Sequence, residues 1–332
     1  MQISRIDSER ITILRALALT SVVSAHTASV VLKDKGTVFC SDLLSAYGSI
    51  GVIVFFIISG YLFELQNKSG KEFWKSKFMM IIPWMVCGTM DYLYTALRRN
   101  DVSVIDWISS LIIHSHYYYL SVLFMLYAFY RIIKRMIKEG DEWMFHFILI
   151  ILSMISIFLT EYGIIPIYPY INFMNWAAYF SIGCILVQKN KTFFHRNINL
   201  NAGVCGIAIT LFLIVYNMIF QKPLGYWTPF SAVIIILMAY YMWSATLSLL
   251  KTERVKDVLI KIGKYSFSIY LVHMPFAGVI TNLTNRLPYQ GGLIFLRPIL
   301  VVGITYFALR VFEYVAKRLH VENWYRLCVG IR

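Results

Sequence analysis

The chain has 332 residues, of which 59% are hydrophobic and 14% charged, with a mean hydropathy of +0.65 and a formal net charge of +14. That is too oily for a soluble protein of this length, and inside lipid only helices and closed barrels satisfy every backbone polar group. The basic balance raises the question of nucleic acid, which the placement of the charges answers.

Apolar runs of about 17 to 25 residues, the length that crosses a bilayer, predict ten spans. They lie near 11–32, 46–65, 77–97, 112–133, 144–163, 170–188, 202–220, 229–250, 266–284 and 293–315. The expectation is an all-α polytopic bundle of about ten transmembrane helices, one domain over residues 1–332, with both termini cytoplasmic. In that orientation every lysine and arginine except Lys33, Lys35, Arg98, Arg99, Lys222, Arg286 and Arg297 falls on the inner side, as the positive-inside rule requires. Topology thus accounts for the charge. Membrane lipid is the implied partner and nucleic acid is not.

The first span, ITILRALALTSVVSAHTASVVL, is longer than a signal-peptide core and carries His26, so it reads as a retained helix. Arg15 and His26 are 11 residues apart, three turns plus about 20°, and therefore point the same way with a rise of about 16 Å. An arginine at a membrane centre costs at least about 2.5 to 3.5 kcal/mol, so such groups face a protein interior or a wet cavity. The pair suits a long, thin ligand with an anionic end at the cytoplasm and a reactive end deep in the membrane. The plain alternative is that Arg15 snorkels to headgroups while His26 bonds a neighbouring helix.

The second span holds Ser59 and Gly60 in GVIVFFIISG, small residues that suit either close helix packing or a ligand. Lys75 and Lys77 precede the third span, where Pro83 is expected to introduce a kink. Asp91 lies six residues before Leu97, as His26 lies six before Leu32, which predicts equal depth and a carboxylate able to fix the tautomer of His26. At the fourth span His114 and His116 lead into Tyr117, Tyr118 and Tyr119, either an aromatic belt or a substrate wall. EYGIIPIYPY, residues 161–170, reads as a plain outer turn. In the ninth span His273 lies about seven residues from the cytoplasmic start, which predicts that it shares the inner half with Arg15. The five cysteines are scattered without paired spacing, so neither a disulfide framework nor a zinc site is expected. No internal repeat of the transporter kind is visible.

Taken in order, an arginine, ten residues and a histidine on the first helix, then FFIISGYLF, a basic residue ahead of Pro83, HYYYL, and YSFSIYLVHMP in the ninth helix resemble the acyltransferase-three family of bacterial membrane O-acyltransferases. The resemblance spans residues 11 to 276 and implies ten membrane helices. It also implies transfer of an acetyl or other acyl group from cytoplasmic acyl-coenzyme A to a hydroxyl of a cell-surface carbohydrate, at the outer side of the bacterial cytoplasmic membrane. Arg15 and His26 match the family's essential pair. Lys77 takes the first place of an Arg-x-x-Arg motif whose second place is Met80, which shifts phosphate binding toward Lys75. Tyr118 stands where many members have tryptophan, and Thr12 and Ile53 stand where aspartates are frequent.

The resemblance therefore implies Arg15, Lys75, Lys77, Ser59, Gly60 and His273 around the donor acetyl-coenzyme A, and His116, Tyr118 and Tyr119 around the acceptor. Arg15 and His26 from the resemblance, with Asp91 from its depth in the third span, are expected to carry the chemistry, with no metal. Some relatives carry a fused esterase-like domain; a standalone membrane domain is expected here. The competing reading is a polysaccharide or small-solute transporter without acyl-transfer chemistry.

Overall fold

The structure, a computed structural model, describes residues 5–66, 70–113, 116–137, 140–188 and 252–331, together with residues 215, 219 and 246. Helix α1 (Arg5–Thr27) is followed by α2 (Lys35–Leu65), whose start is capped by the Asp34 carboxylate accepting from Thr37 N at 2.9 Å. The expected third span, 77–97, is carried by α4 (Ile81–Arg99), and a separate α3 (Gly70–Phe78) precedes it, overlapping only the span's first two residues. The break falls at Met79 and Met80, and Pro83 sits in the first turn of α4, where its missing N–H costs nothing. The proline therefore opens a helix instead of kinking one.

Next come α5 (Val104–Ile112), α6 (Tyr118–Ile133), α7 (Glu142–Glu161) and α8 (Met174–Gln188). An amphipathic helix, α9 (Glu253–Lys264), leads into α10 (Ser266–Thr284), then α11 (Gln290–Leu293), α12 (Arg297–Arg318) and α13 (Glu322–Val329). Among the described residues there is no strand. The expected spans at 202–220 and 229–250 lie outside the described residues apart from three single positions. Four described helices, α2, α7, α10 and α12, are long and apolar enough to cross a membrane; α6 and α8 are apolar but shorter.

Helix α1 is less apolar than these because it does not face lipid on most sides. It packs against α2, α9, α10 and α12, and a helix enclosed by other helices can carry Arg10, Arg15 and His26. Glycines bring its neighbour close: a Cβ at Gly51 would meet Ala18 O at 2.2 Å, and one at Gly48 would meet Ala25 Cβ at 2.4 Å. The same device joins α2 to α8, where Gly60 approaches Phe180 O and Gly183 approaches Ile57 O, at 2.0 and 2.1 Å from the would-be Cβ. Around these contacts Phe56, Trp176, Tyr179 and Phe180 form a dry aromatic core. The turn before α8 is bonded to that helix, Asn175 Nδ2 donating to Pro169 O at 3.2 Å and Trp176 Nε1 to Tyr170 O at 3.0 Å. Ser156, Asn172 and Asn175 form a buried hydrogen-bonded knot there, with Ser156 donating to Asn175 Oδ1 at 2.6 Å.

Candidate active site

Three imidazoles from three parts of the chain meet in the interior. His26, one residue from the end of α1, lies 5.3 Å from His273 of α10 and 6.0 Å from His116, ring centre to ring centre, and His116 lies 5.2 Å from His273. His116 and His273 are buried. His273 Nδ1 is 2.8 Å from Tyr270 O; a carbonyl can only accept, so Nδ1 carries the proton and Nε2 keeps its lone pair. The Nε2 atoms of His116 and His273 are buried without a hydrogen-bond partner among the described residues, so two imidazole nitrogens are left for a ligand.

Tyrosines hold this cluster together. Tyr270 and His273, three residues apart, share one face of α10. Tyr270 donates its hydroxyl to His116 O, and Tyr117 donates to Leu271 O at 2.8 Å. The segment before α6 is thereby latched to α10 by two bonds in opposite directions of the chain.

A cavity of about 250 Å³ leads toward the cluster from the N-terminal side of α1. Its basic groups are Arg15, Lys77 and Lys264, and its deeper wall holds Ser59, Tyr119 and Tyr270. Lys77 Nζ sits 4.1 Å from the centre of the Tyr127 ring, which orients the ammonium in a largely desolvated place. Ser59 Oγ and the Tyr119 hydroxyl lie 3.3 Å apart, and the Tyr119 ring is 5.8 Å from that of Tyr270. Tyr270 in turn is 5.5 Å from His116 and 6.1 Å from His273. One ring layer separates the basic cavity from the histidines.

A second cavity, about 350 Å³, is lined by Asp91, Arg99, Asp101, Asp106, Ser109 and Tyr117, among others. Helix α4 starts beside Met80 in the wall of the first cavity and ends with Arg99 in the wall of the second, a distance of about 28 Å for a helix of that length. The cavities thus lie toward opposite ends of the bundle. Tyr117 connects the second one to the cluster, its ring 4.0 Å from that of His116.

Arg15, Ser59, Lys77 and Tyr119 are gathered in one cavity, and His26, His116 and His273 form one cluster. His273 reaches further than its position in the sequence predicts. Gly263 packs directly on the backbone of Thr12, so α10 enters the bundle already level with the first turns of α1, and His273 arrives beside His26 instead of beside Arg15. Asp91 lines the second cavity, next to Tyr117; α4 packs on α5, α10 and α13 rather than chiefly on α1, which parts Asp91 from the imidazole expected to be its partner. Gly60 faces the α8 backbone and serves packing. Tyr118 turns the same way, toward Tyr170 and Trp176, and Lys75 is exposed on α3. His114 lies outside the described residues. The sequence reading missed Tyr270 and Lys264 and grouped Tyr117 only with its neighbouring tyrosines, although the three-residue step from Tyr270 to His273 is a visible signal for the first of these.

Residues 8–312 match the family model Acyl_transf_3, described as an acyltransferase domain. The chain belongs to this acyltransferase family. No curated protein and no solved structure matches the chain. The histidine cluster borders both cavities through one tyrosine each, His116 lying beside Tyr270 of the first cavity's wall and Tyr117 of the second's.

Proposed function

We propose that this membrane acyltransferase moves an acetyl or similar acyl group from cytoplasmic acyl-coenzyme A to a hydroxyl of a cell-surface carbohydrate, at the outer side of the bacterial cytoplasmic membrane. The observation that carries this reading is the continuity from Arg15 and Lys77, through Tyr119 and Tyr270, to the cluster of His26, His116 and His273. Basic side chains are the usual phosphate ligands, so Arg15, Lys77 and Lys264 hold the nucleotide end of the donor. The pantetheine arm extends toward Ser59 and Tyr119 and brings the thioester between these hydroxyls and the imidazoles. The acceptor sugar enters from the second cavity, whose carboxylates and hydroxyls suit a polyol.

In the transfer, a neutral imidazole takes the proton from the attacking hydroxyl as its oxygen bonds the acyl carbon. Coenzyme A then leaves as the thiolate and collects a proton. His26 is the least enclosed of the three rings and is assigned as this base; His273, its Nδ1 occupied by Tyr270 O, offers only Nε2 and fixes the arrangement. We assign the hydroxyls of Tyr119 and Ser59, 3.3 Å apart on the wall of the first cavity, as donors to the developing oxyanion.

The test is transfer of label from radiolabelled acetyl-coenzyme A into the host's surface glycan by purified protein in vesicles. His26→Ala should abolish transfer while the protein still accumulates in the membrane. Unchanged transfer would refute the assignment, and loss of glycan export with normal acetyl content would favour transport.

A further inference from the structure

At the opposite side of α2 from the histidine cluster, Glu64, His146 and Cys184 bring one carboxylate oxygen, one imidazole nitrogen and one sulfur within 4.8 Å of one another. The three residues come from α2, α7 and α8, and nothing in their spacing along the chain suggests a site. Cys184 is 0% and His146 4% exposed. His146 Nδ1 is buried without a hydrogen-bond partner among the described residues, and Tyr130 covers one side of its ring, 5.9 Å away and nearly parallel. The Cys184 thiol donates to a backbone carbonyl, Gly60 O, at 3.4 Å. Glu64 is held at 2.6 Å by Lys134.

We propose that Glu64, His146 and Cys184 bind a zinc-class divalent metal ion that joins α2, α7 and α8. Sulfur, imidazole and carboxylate together are a borderline-soft donor set, the kind that takes zinc in preference to magnesium or calcium. Helix packing already brings the donors close, so a contraction of about an ångström closes the site around metal distances of about 2.0 to 2.3 Å. Entry is provided by a cavity of about 330 Å³ lined by Glu64, Gln66, Arg131 and Lys134, which leaves the fourth coordination position to water. On binding, the thiol gives up its proton to solvent, the thiolate bonds the metal, and Glu64 exchanges Lys134 for the ion. The proposal is independent of the acyl-transfer reading.

Purified protein, its affinity tag removed, is loaded with zinc chloride, dialysed and analysed for metal by mass spectrometry. About one zinc per chain is expected, falling to background in Cys184→Ser and in His146→Ala. Loading with cobalt chloride in place of zinc should give a thiolate-to-cobalt charge-transfer band that Cys184→Ser removes. Lys134→Met keeps the donors and removes a competing cation, so it should tighten zinc binding roughly fivefold or more; its effect has the opposite sign to that of a merely damaged fold. Zinc far below one per chain in the parent protein, equal zinc in the Cys184 variant, or unchanged or weaker binding in the Lys134 variant would each overturn the site.

Discussion

The buried guanidinium of Arg297 donates to the carbonyl oxygens of Thr27 and Ser29, at 3.1 and 2.7 Å, and to Asn285 Oδ1 at 2.7 Å. Arg297 opens α12 and is 0% exposed, so it closes the end of α1 immediately after His26. Gln290 extends the same hold, its side-chain oxygen accepting from Val31 N and Leu32 N at 3.2 and 3.1 Å. The carbonyls that every helix leaves unpaired at its C-terminus are satisfied here by a distant part of the chain. The position of His26 is thereby tied to α12.

Arg297→Lys keeps the charge but loses the planar fork that reaches three acceptors at once. Hydrogen bonds to a charged group contribute about 1.5 to 3 kcal/mol each, so the loss of one or two should lower the melting temperature of the detergent-solubilised protein clearly. Activity should fall more than folding does, because the displaced element carries His26. A variant with full stability and full activity would show that the clamp does not position the histidine.

Tyr119→Phe removes a hydroxyl and leaves the ring packed against Phe56 and Tyr270. If that hydroxyl donates to the oxyanion, turnover should drop about 100- to 1000-fold with little change in the KM for acetyl-coenzyme A. Tyr118→Phe, whose ring faces Tyr170 and Trp176, should change neither. Steady-state transfer assays on the two variants separate adjacent tyrosines with different assigned roles.

Gly60→Ala should destabilise through overpacking alone. Its new methyl group would stand 2.0 Å from Phe180 O, a backbone atom that cannot rotate away. A cost of about 1 to 3 kcal/mol is expected, read as a lower melting temperature, with the KM for the donor unchanged in whatever protein remains folded. A raised KM at normal stability would return Gly60 to the donor site.

At the start of α1, Glu9 accepts from Lys256 of α9 at 3.1 Å and from Arg5 at 3.2 Å, and these bonds hold its carboxyl below the usual carboxylate range, the Lys256 bond first. A depressed folded pKa means that the stabilisation is present above the unfolded value of about 4.3 and is lost as pH falls through the lower folded value. Parent protein and Glu9→Gln should therefore differ in melting temperature at neutral pH. The difference should shrink on acidification below about pH 4 and in high salt, which screens exposed pairs.

Much of this arrangement is legible in the chain before folding. Arg15 and His26 announce themselves by spacing, because a helix with a fixed pitch turns an 11-residue separation into a shared face. Ser59 and Lys77 are visible as polar groups in apolar surroundings. Depth across different helices is another matter, since it depends on where each helix enters the bundle. Asp91 and His273 were both placed by distance from the end of a span, and both were moved by packing: α4 lies away from α1, and Gly263 on Thr12 sets the level of α10. The third-span break and the amphipathic α9 were hidden for a related reason, as apolarity marks membrane depth but not where the backbone interrupts itself. Glu64, His146 and Cys184 could not be grouped at all without the packing of α2, α7 and α8.

The central claim is that the donor lies lengthwise between Arg15 and the three histidines, and a cryo-electron microscopy map of the protein with bound coenzyme A tests it most directly. The account predicts phosphates at Arg15, Lys77 and Lys264 and the thiol sulfur within reach of His26, His116 or His273. A nucleotide seated elsewhere, or a thiol that ends away from the imidazoles, would contradict it.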